Sequence, residues 1–350
     1  MRALVTGGAG FIGSALVRAL AKNGVPVACL DALTYAGNRE NLSEISEMPD
    51  FELLEADIRD VAAVGNLLRA FRPTVVFHLA AETHVDRSID DPARSFETNI
   101  VGTYALLSEV TAFWRTLNDA EAEEFRYLQV STDEVFGSAG ANEDFVETTR
   151  YAPNSPYAAS KASADYLVRT WAMAFGLPVL IGHGANTYGP YQFPEKLIPL
   201  MTLNAIEGRN LPIYGDGTQV RDWIHVDDHV AGLRAIAERG RVGESYIVSA
   251  RNPLTNLDVV RGVCQALDAI GDADVDHAEL IEHVADRPAH DQRYVSDPIK
   301  IESELDWHPT VSFQEGLART VTWYLENTDW WEQTRDRYDR IRLGLGQAAQ

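Results

Sequence analysis

Tyr157 and Lys161 stand four residues apart in Tyr157-Ala158-Ala159-Ser160-Lys161. On a helix that spacing puts a phenol and an ammonium on one face, about one turn apart. A lysine cation beside a phenol stabilises the phenolate, which can then act as a base near neutral pH. Alone, the pair is common by chance. It gains weight from Ser131-Thr132-Asp133-Glu134, which ends an apolar strand pattern upstream. Two adjacent carboxyl groups in one cleft disfavour double ionisation, so one can hold a proton as an acid while the other acts as a base. A solvated Asp-Glu pair at a strand end is the plainer alternative.

A second constellation points to a phosphate-bearing ligand. Thr6-Gly7-Gly8-Ala9-Gly10-Phe11-Ile12-Gly13 follows the first strand pattern and opens the first helical one. Gly7, Gly10 and Gly13, with Phe11 and Ile12 between them, fit a tight turn, close backbone approach to a pyrophosphate and close helix–strand packing. The helix N-terminus adds N–H groups and positive dipole. Asp31 ends the second strand pattern, where a carboxylate accepts both ribose hydroxyls and repels a 2′-phosphate, so NAD is expected rather than NADP. A carboxylate there can also cap the turn before Leu33. Asp57 and Ile58 end the third strand pattern, at adenine's amino group and face. Ala80 and Ala81 follow the fourth, where small residues let the cofactor close in. His78 reads as a satisfied core histidine.

These residues need a scaffold. Short apolar runs at Arg2–Thr6, Val27–Leu30, Phe51–Glu55, Val75–Leu79, Tyr127–Ser131 and Val179–Gly182 alternate with helical patterns at Ile12–Asn23, Val61–Phe71, Ser95–Leu117 and Tyr157–Phe175. That alternation specifies α/β units and a doubly wound parallel sheet of Rossmann type, covered by helices on both faces. From about Asn186 Pro and Gly become frequent, and the pattern turns to short mixed elements ending in an aromatic-rich tail. Residues 1–185 are expected to form the NAD-binding part and 186–350 a smaller mixed α/β substrate-binding part, with Val226–Ala237 and Tyr246–Ser249 returning to the first.

The chain has 350 residues with 30 Lys+Arg against 52 Asp+Glu, a net charge of −22, which argues against a nucleic-acid partner. Two cysteines, Cys29 and Cys264, belong to no CxxC or His/Cys cluster, so neither a disulfide framework nor a metal site is expected. No apolar run approaches membrane-spanning length, and Met-Arg-Ala-Leu-Val-Thr-Gly enters a strand pattern at once, so a cytoplasmic protein is expected.

Taken together, these motifs resemble the extended short-chain dehydrogenase/reductases and, more narrowly, the dTDP-glucose 4,6-dehydratases. The likeness is carried by Asp31-Ala32-Leu33-Thr34-Tyr35-Ala36-Gly37-Asn38, His84-Val85-Asp86-Arg87-Ser88-Ile89, Ser131-Thr132-Asp133-Glu134-Val135, Tyr188-Gly189-Pro190-Tyr191, Pro194-Glu195-Lys196-Leu197-Ile198-Pro199, Pro212-Ile213-Tyr214-Gly215-Asp216-Gly217, Arg221-Asp222-Trp223 and Asp286-Arg287-Pro288. It runs from the first strand to about Trp323.

The resemblance implies an internal redox cycle: oxidation at C4 of the sugar by NAD, loss of water across C5 and C6, and return of hydride to C6. It implies Tyr157 as the base at the C4 hydroxyl and Lys161 as its partner and ribose anchor. Thr132 would hydrogen-bond the C4 oxygen, Glu134 would take the C5 proton, and Asp133 would be the acid to the C6 oxygen. Asn186 and Arg221 would hold the diphosphate, with Asn252 and Arg287 nearby; Lys196 and Leu197 would line the pocket, and Tyr214 would lie against the pyrimidine. His84, Asp86 and Ser88 would approach the sugar or phosphates. The small-molecule substrate would be a sugar nucleotide and the assembly a homodimer built on two long helices. A dehydratase of another sugar nucleotide, first a UDP-sugar, is the next reading; a UDP-sugar 4-epimerase ranks lower because Asp133 and Glu134 would have no task. Phe136, Gly184-Ala185-Asn186-Thr187, Pro253 and Ala289 depart from the family's usual residues.

Overall fold

The computed structural model describes residues 1–141, 143–270, 275–286 and 290–334. Seven parallel strands form the central sheet, in the spatial order Ser245–Val248, Val179–Gly184, Arg126–Thr132, Val75–His78, Ala3–Thr6, Val27–Asp31, Phe51–Glu55. Six of these strands are almost wholly buried, as a sheet covered on both faces requires. The seventh, Phe51–Glu55, is an edge strand with its carboxylates exposed.

The chain lays down two strands on one side of the first, then crosses back and builds outward from Val75–His78 on the other. Strand order therefore reverses between Ala3–Thr6 and Val75–His78. The segments that follow these two strands leave in opposite directions and open a crevice at their C-terminal ends, the usual ligand position in such sheets.

Each face of the sheet has its own core. Leu16, Val17 and Leu20 from the first helix pack with Leu233 and Ile236 on one face, joined by Trp307. Val64 and Leu68 from helix Val61–Phe71, Leu106, Val110 and Phe113 from helix Thr103–Trp114, and Val168 from helix Pro156–Phe175 fill the other. A third core, including Met201, Ile213, Val263, Phe313 and Val321, lies among later elements. There Val220–His225 pairs with Pro253–Thr255, Arg293–Tyr294 and Asn186–Tyr188, and Leu211–Tyr214 pairs with Ile281–Val284. The aromatic tail folds back on the first half of the chain: Trp330 Nε1 donates to Asn41 Oδ1 at 2.8 Å.

The helical pattern over Ser95–Leu117 is not one α-helix. It runs as Pro92–Phe96, a π segment over Glu97–Gly102, and Thr103–Trp114. Asn99, in the π segment, is buried, as are Ser95 and Thr103 four residues to either side. The next long helix starts where its sequence dictates. Ser155 caps it by accepting the Ala158 N–H, Pro156 takes the first position where no N–H is needed, and Gly176 ends it at φ 73°. Tyr157 is thereby fixed in the first turn and Lys161 one turn on.

No described helix is long and apolar enough to cross a membrane. Cys29 and Cys264 are both buried free thiols.

The Gly-rich turn is tight for a steric reason. A Cβ on Gly13 would lie 2.0 Å from the Gly7 carbonyl oxygen, and one on Gly7 would lie 2.6 Å from the Ala80 nitrogen. Gly13→Ala is expected to force the helix away from the turn and destabilise the fold by about 1–3 kcal/mol, the usual range for overpacking. A fall in the urea unfolding midpoint would measure it; an unchanged midpoint would show that the turn has room after all.

Candidate active site

A cavity of about 370 Å³ opens in the crevice. Its wall contains Gly7, Gly10, Phe11, Ile12, Gly13, Asp31, Asp57, Ile58, Ala80 and Ala81, so every residue expected at the dinucleotide meets there. Thr132, Asp133, Glu134, Tyr157 and Lys161 line the same cavity, as do Asn186 and Lys196.

The cavity fits a dinucleotide by its own geometry. The glycine turn leaves no room for side chains between strand and helix, and the first helix points its N-terminus at the crevice. Asp31 is 7% exposed and both its oxygens are engaged: Oδ2 accepts the Ala9 N–H at 2.9 Å and Oδ1 the Leu33 N–H at 2.8 Å. The carboxylate thus does cap the turn before Leu33, and it also stands in the cavity wall. Burial raises its pKa while the backbone donors hold it down. His78 is a core histidine: Thr6 and Thr103 hydroxyls meet its two nitrogens, and burial pushes its pKa down to about 3.

Asp133, Tyr157 and Lys161 are strongly desolvated, while Glu134 is half-buried. Thr132 caps the short turn Asp133–Phe136, accepting the Glu134 N–H at 3.3 Å. Gly137 ends it at φ 80°, where a Cβ would lie 2.3 Å from the Ala152 oxygen. This places Asp133 inside, 1% exposed, with Oδ2 buried and without a hydrogen-bond partner among the described residues. Its pKa is raised well above the usual carboxylate range, first by burial, then by the negative charges of Glu134 and Asp222; Arg221 opposes this. Burial and the neighbouring negative charges therefore favour the protonated form of Asp133 beside a second carboxyl group.

Tyr157 is pushed up by burial and by Glu134, against a hydrogen bond with Thr132. Lys161 is pulled down by burial, against the charge of Asp165, and its Nζ donates to the Val130 carbonyl at 2.8 Å. The spacing of Tyr157 and Lys161 suggested a phenolate, whereas the desolvated site by itself holds the phenol protonated.

Other expected residues serve the frame. Ser88 Oγ accepts the Tyr157 N–H at 3.1 Å and donates to the Val85 carbonyl, pinning the start of the catalytic helix. His84 caps helix Val85–Asp90. Lys196 Nζ donates to the Thr83 carbonyl at 2.9 Å. Arg221 lies 4.2 Å from the centre of the Tyr294 ring and donates to the Val220 and Asp291 carbonyls. Asn252 Nδ2 is buried with no partner among the described residues. Leu197, Tyr214, Arg221 and Asn252 stand outside the cavity wall, in the elements beyond Asn186. Arg287 and Ala289 lie outside the described residues.

Phe136 packs against Phe145, Tyr151 and His183, so this departure from the family's usual residue sits in a small aromatic cluster rather than in the cavity wall. Gly184 is required by its neighbour: a Cβ there would lie 2.4 Å from the His229 ring. Pro253 is exposed.

Several residues of the site had no signal in the sequence. Asn99 receives the Glu82 N–H, donates to the Glu82 carbonyl and to Ser160 Oγ, and so ties the end of the fourth strand to the catalytic helix. Asp165, fully buried, accepts from Ser131 and Tyr151 hydroxyls beside His183. Asn99 is buried in one row with Ser95 and Thr103, and apolar periodicity does not mark a polar row.

A family model described as GDP-mannose 4,6 dehydratase matches residues 4–320. A dTDP-glucose 4,6-dehydratase of Shigella flexneri is 49% identical over 345 residues, 96% of each chain. One from Neisseria meningitidis serogroup B is 47% identical over 350 residues, 98% of this chain and 99% of its own. The chain belongs to the dTDP-glucose 4,6-dehydratase family. Among solved structures, the dTDP-glucose 4,6-dehydratase DesIV of Streptomyces venezuelae, with NAD bound, superposes with a TM-score of 0.87 at 44% identity, covering 95% of this chain and 100% of its own. The UDP-glucose 4-epimerase of Thermus thermophilus, in complex with NAD, reaches 0.82 at 30% identity, covering 93% of this chain and 100% of its own. Fold likeness thus extends to epimerases, and the carboxyl pair has to separate the chemistries.

The Asp133 pKa has a sign that stability measurements can read. A carboxyl whose folded pKa is raised stabilises the fold fully below its unfolded value, about 3.9, and that stability is lost as pH rises towards the folded value. Asp133→Asn, which cannot ionise, is therefore expected to gain thermal stability over wild type at pH 7, with the gain vanishing near pH 3. A difference that does not change with pH would mean that Asp133 is not held protonated.

Proposed function

We propose that this protein converts dTDP-glucose to dTDP-4-keto-6-deoxyglucose, with NAD regenerated in each cycle. One observation carries the reading: a buried Asp133, whose pKa that burial raises, adjoins Glu134 in the cavity that also holds Tyr157 and Lys161. A 4-epimerase needs only to oxidise and reduce C4. Loss of water across C5 and C6 needs both a base and an acid beside the sugar, and two unlike carboxyl groups fill those roles. The same dehydration on a UDP-sugar is the second reading, since the groups at C4 to C6 do not read the base.

Bound NAD would take hydride from C4 and return it at C6, and its cationic nicotinamide would favour the Tyr157 phenolate. Tyr157 removes the C4 hydroxyl proton, with Thr132 bonded to the same oxygen. Lys161 holds the ribose and keeps positive charge near the phenol. Glu134 removes the proton at C5, acidified by the neighbouring ketone, and Asp133 delivers its proton to the departing C6 hydroxyl; when hydride arrives at C6, a proton is added back at C5. Asp31, Asp57 and Ile58 hold the adenosine half, and the glycine turn holds the pyrophosphate. Asn186, Lys196, Arg221 and Asn252 place the substrate diphosphate, with Leu197 and Tyr214 at the base. In this reading residues 1–185 carry the dinucleotide and 186–350 the sugar nucleotide, in a cytoplasmic enzyme.

The deciding experiment is incubation with dTDP-glucose and UDP-glucose separately, with products identified by mass. A product one water lighter is expected from dTDP-glucose; an epimer of unchanged mass would overturn the reading. Tyr157→Phe should give neither NADH absorbance nor product. Asp133→Asn and Glu134→Gln should show transient NADH absorbance with turnover lowered by about 10²–10⁴-fold. A loss of only a few-fold in either would show that the pair takes no part in proton transfer.

The reading also includes a homodimer. Val101, Tyr104, Tyr166 and Met173 are exposed on the two long helical segments, Met173 at 90%. Tyr104 meets Trp171 edge-on, and Trp171 meets Phe175, so the apolar face is continuous across both helices. Two such faces would bury each other in a four-helix arrangement. Light scattering should give twice 38.7 kDa for wild type, and Tyr166→Glu with Met173→Glu should shift it towards the monomer. A monomer mass for wild type at micromolar concentration would remove the dimer.

A further inference from the structure

Glu195 ends the loop that follows Asn186–Tyr188 and is 8% exposed. Both of its oxygens are used. Oε1 accepts the Tyr35 hydroxyl at 3.0 Å, and Oε2 accepts Arg87 Nε at 2.9 Å, with His84 Nε2 3.8 Å away. Arg87 in turn lies over the Tyr35 ring at 4.3 Å, and Phe193 meets that ring edge-on at 5.5 Å. The adjacent Lys196 bonds the Thr83 carbonyl.

One carboxylate therefore joins three segments far apart in sequence: the loop after the second strand, the segment after the fourth, and the loop after Asn186–Tyr188. Each contributes to the cavity wall, through Ala36 and Gly37, through Glu82 and Thr83, and through Phe193 and Lys196. Two of the three lie on the dinucleotide side of the crevice; the third belongs to the substrate side. Separating them means pulling a buried carboxylate from a cation and a hydroxyl, which is costly because the charge is left without partners.

We propose that Glu195 is a positioning residue that closes the rim over the dinucleotide and sets how long NAD stays bound. The proposal rests on the NAD reading above, in which the cofactor returns to its starting state each cycle and never has to leave. A rim tied by ion pair, hydroxyl and ring stacking suits a group that is retained, while the sugar nucleotide must come and go.

The test is the release rate of NAD from the whole protein, loaded with labelled NAD and chased with excess unlabelled NAD. Wild type should release slowly. Glu195→Gln, which keeps the size and loses the charge, should release about tenfold faster or more, the worth of one charge-assisted hydrogen bond. Tyr35→Phe, which removes one hydroxyl, should release several-fold faster. In both, the NAD concentration for half-maximal turnover should rise by more than turnover at saturation falls. Equal release rates in wild type and Tyr35→Phe would overturn the proposal even if Glu195→Gln fails to fold. So would a loss of turnover at saturating NAD with release unchanged. If wild type takes up no NAD at all, the NAD reading falls, which is a different result from variants that bind NAD and release it at the wild-type rate.

Discussion

Parallel strands can be joined only by crossovers, and a crossover carries the chain to one side of the strand it leaves. Where successive crossovers change direction, the two adjoining strands have nothing packed across their C-terminal ends. In this protein that place is between Ala3–Thr6 and Val75–His78. The glycine turn leaves one strand, Ala80 and Ala81 leave the other, and a Cβ at Gly7 would touch Ala80. The next strand along, Arg126–Thr132, delivers Thr132, Asp133 and Glu134 to the same end of the sheet. The site is thus built from consecutive strand ends, and the helix carrying Tyr157 and Lys161 needs only to lie across them.

Burial then sets the chemistry. Asp133, Tyr157 and Lys161 have almost no solvent contact, and for each the largest influence on its proton is desolvation, which favours the neutral form. For Asp133 that is the form an acid needs. For Tyr157 and Lys161 it opposes the pair's use as base and cation, and the charges of Asp165 near Lys161 and of a bound dinucleotide near Tyr157 have to counter it. The two carboxyl groups differ because the short turn after Thr132 sends Asp133 inward while Glu134 remains half-buried.

A net charge of −22 would repel a diphosphate if spread evenly. The basic side chains around the cavity are instead held locally by partners: Arg87 by Glu195, Arg94 by Glu82, Lys196 by a carbonyl. Rigid placement of these cations lets a few of them act in a strongly acidic protein.

Residue order alone specifies the parts of this protein that local physics controls. The Gly7-to-Gly13 fingerprint, the alternation of apolar strands with helical patterns, and the four-residue spacing of Tyr157 and Lys161 each follow from backbone sterics or helix period, so the sheet, the dinucleotide turn and the catalytic pair were legible. The adjacent carboxyl groups Asp133 and Glu134 stood in the sequence and the family likeness gave their roles, but neither told which of them is buried; that depends on the turn capped by Thr132 and ended by Gly137. Asn99, Asp165 and Glu195 were not legible, because each acts across more than a dozen residues of sequence on partners that only packing brings near. The helix expected over Ser95–Leu117 is three segments, and its π turn carries Asn99, which bonds Glu82 and Ser160. Propensity and periodicity decide which elements form, since both act between near neighbours. Desolvation and long-range hydrogen bonds decide which of their polar groups can react, and both exist only once the chain has closed around them.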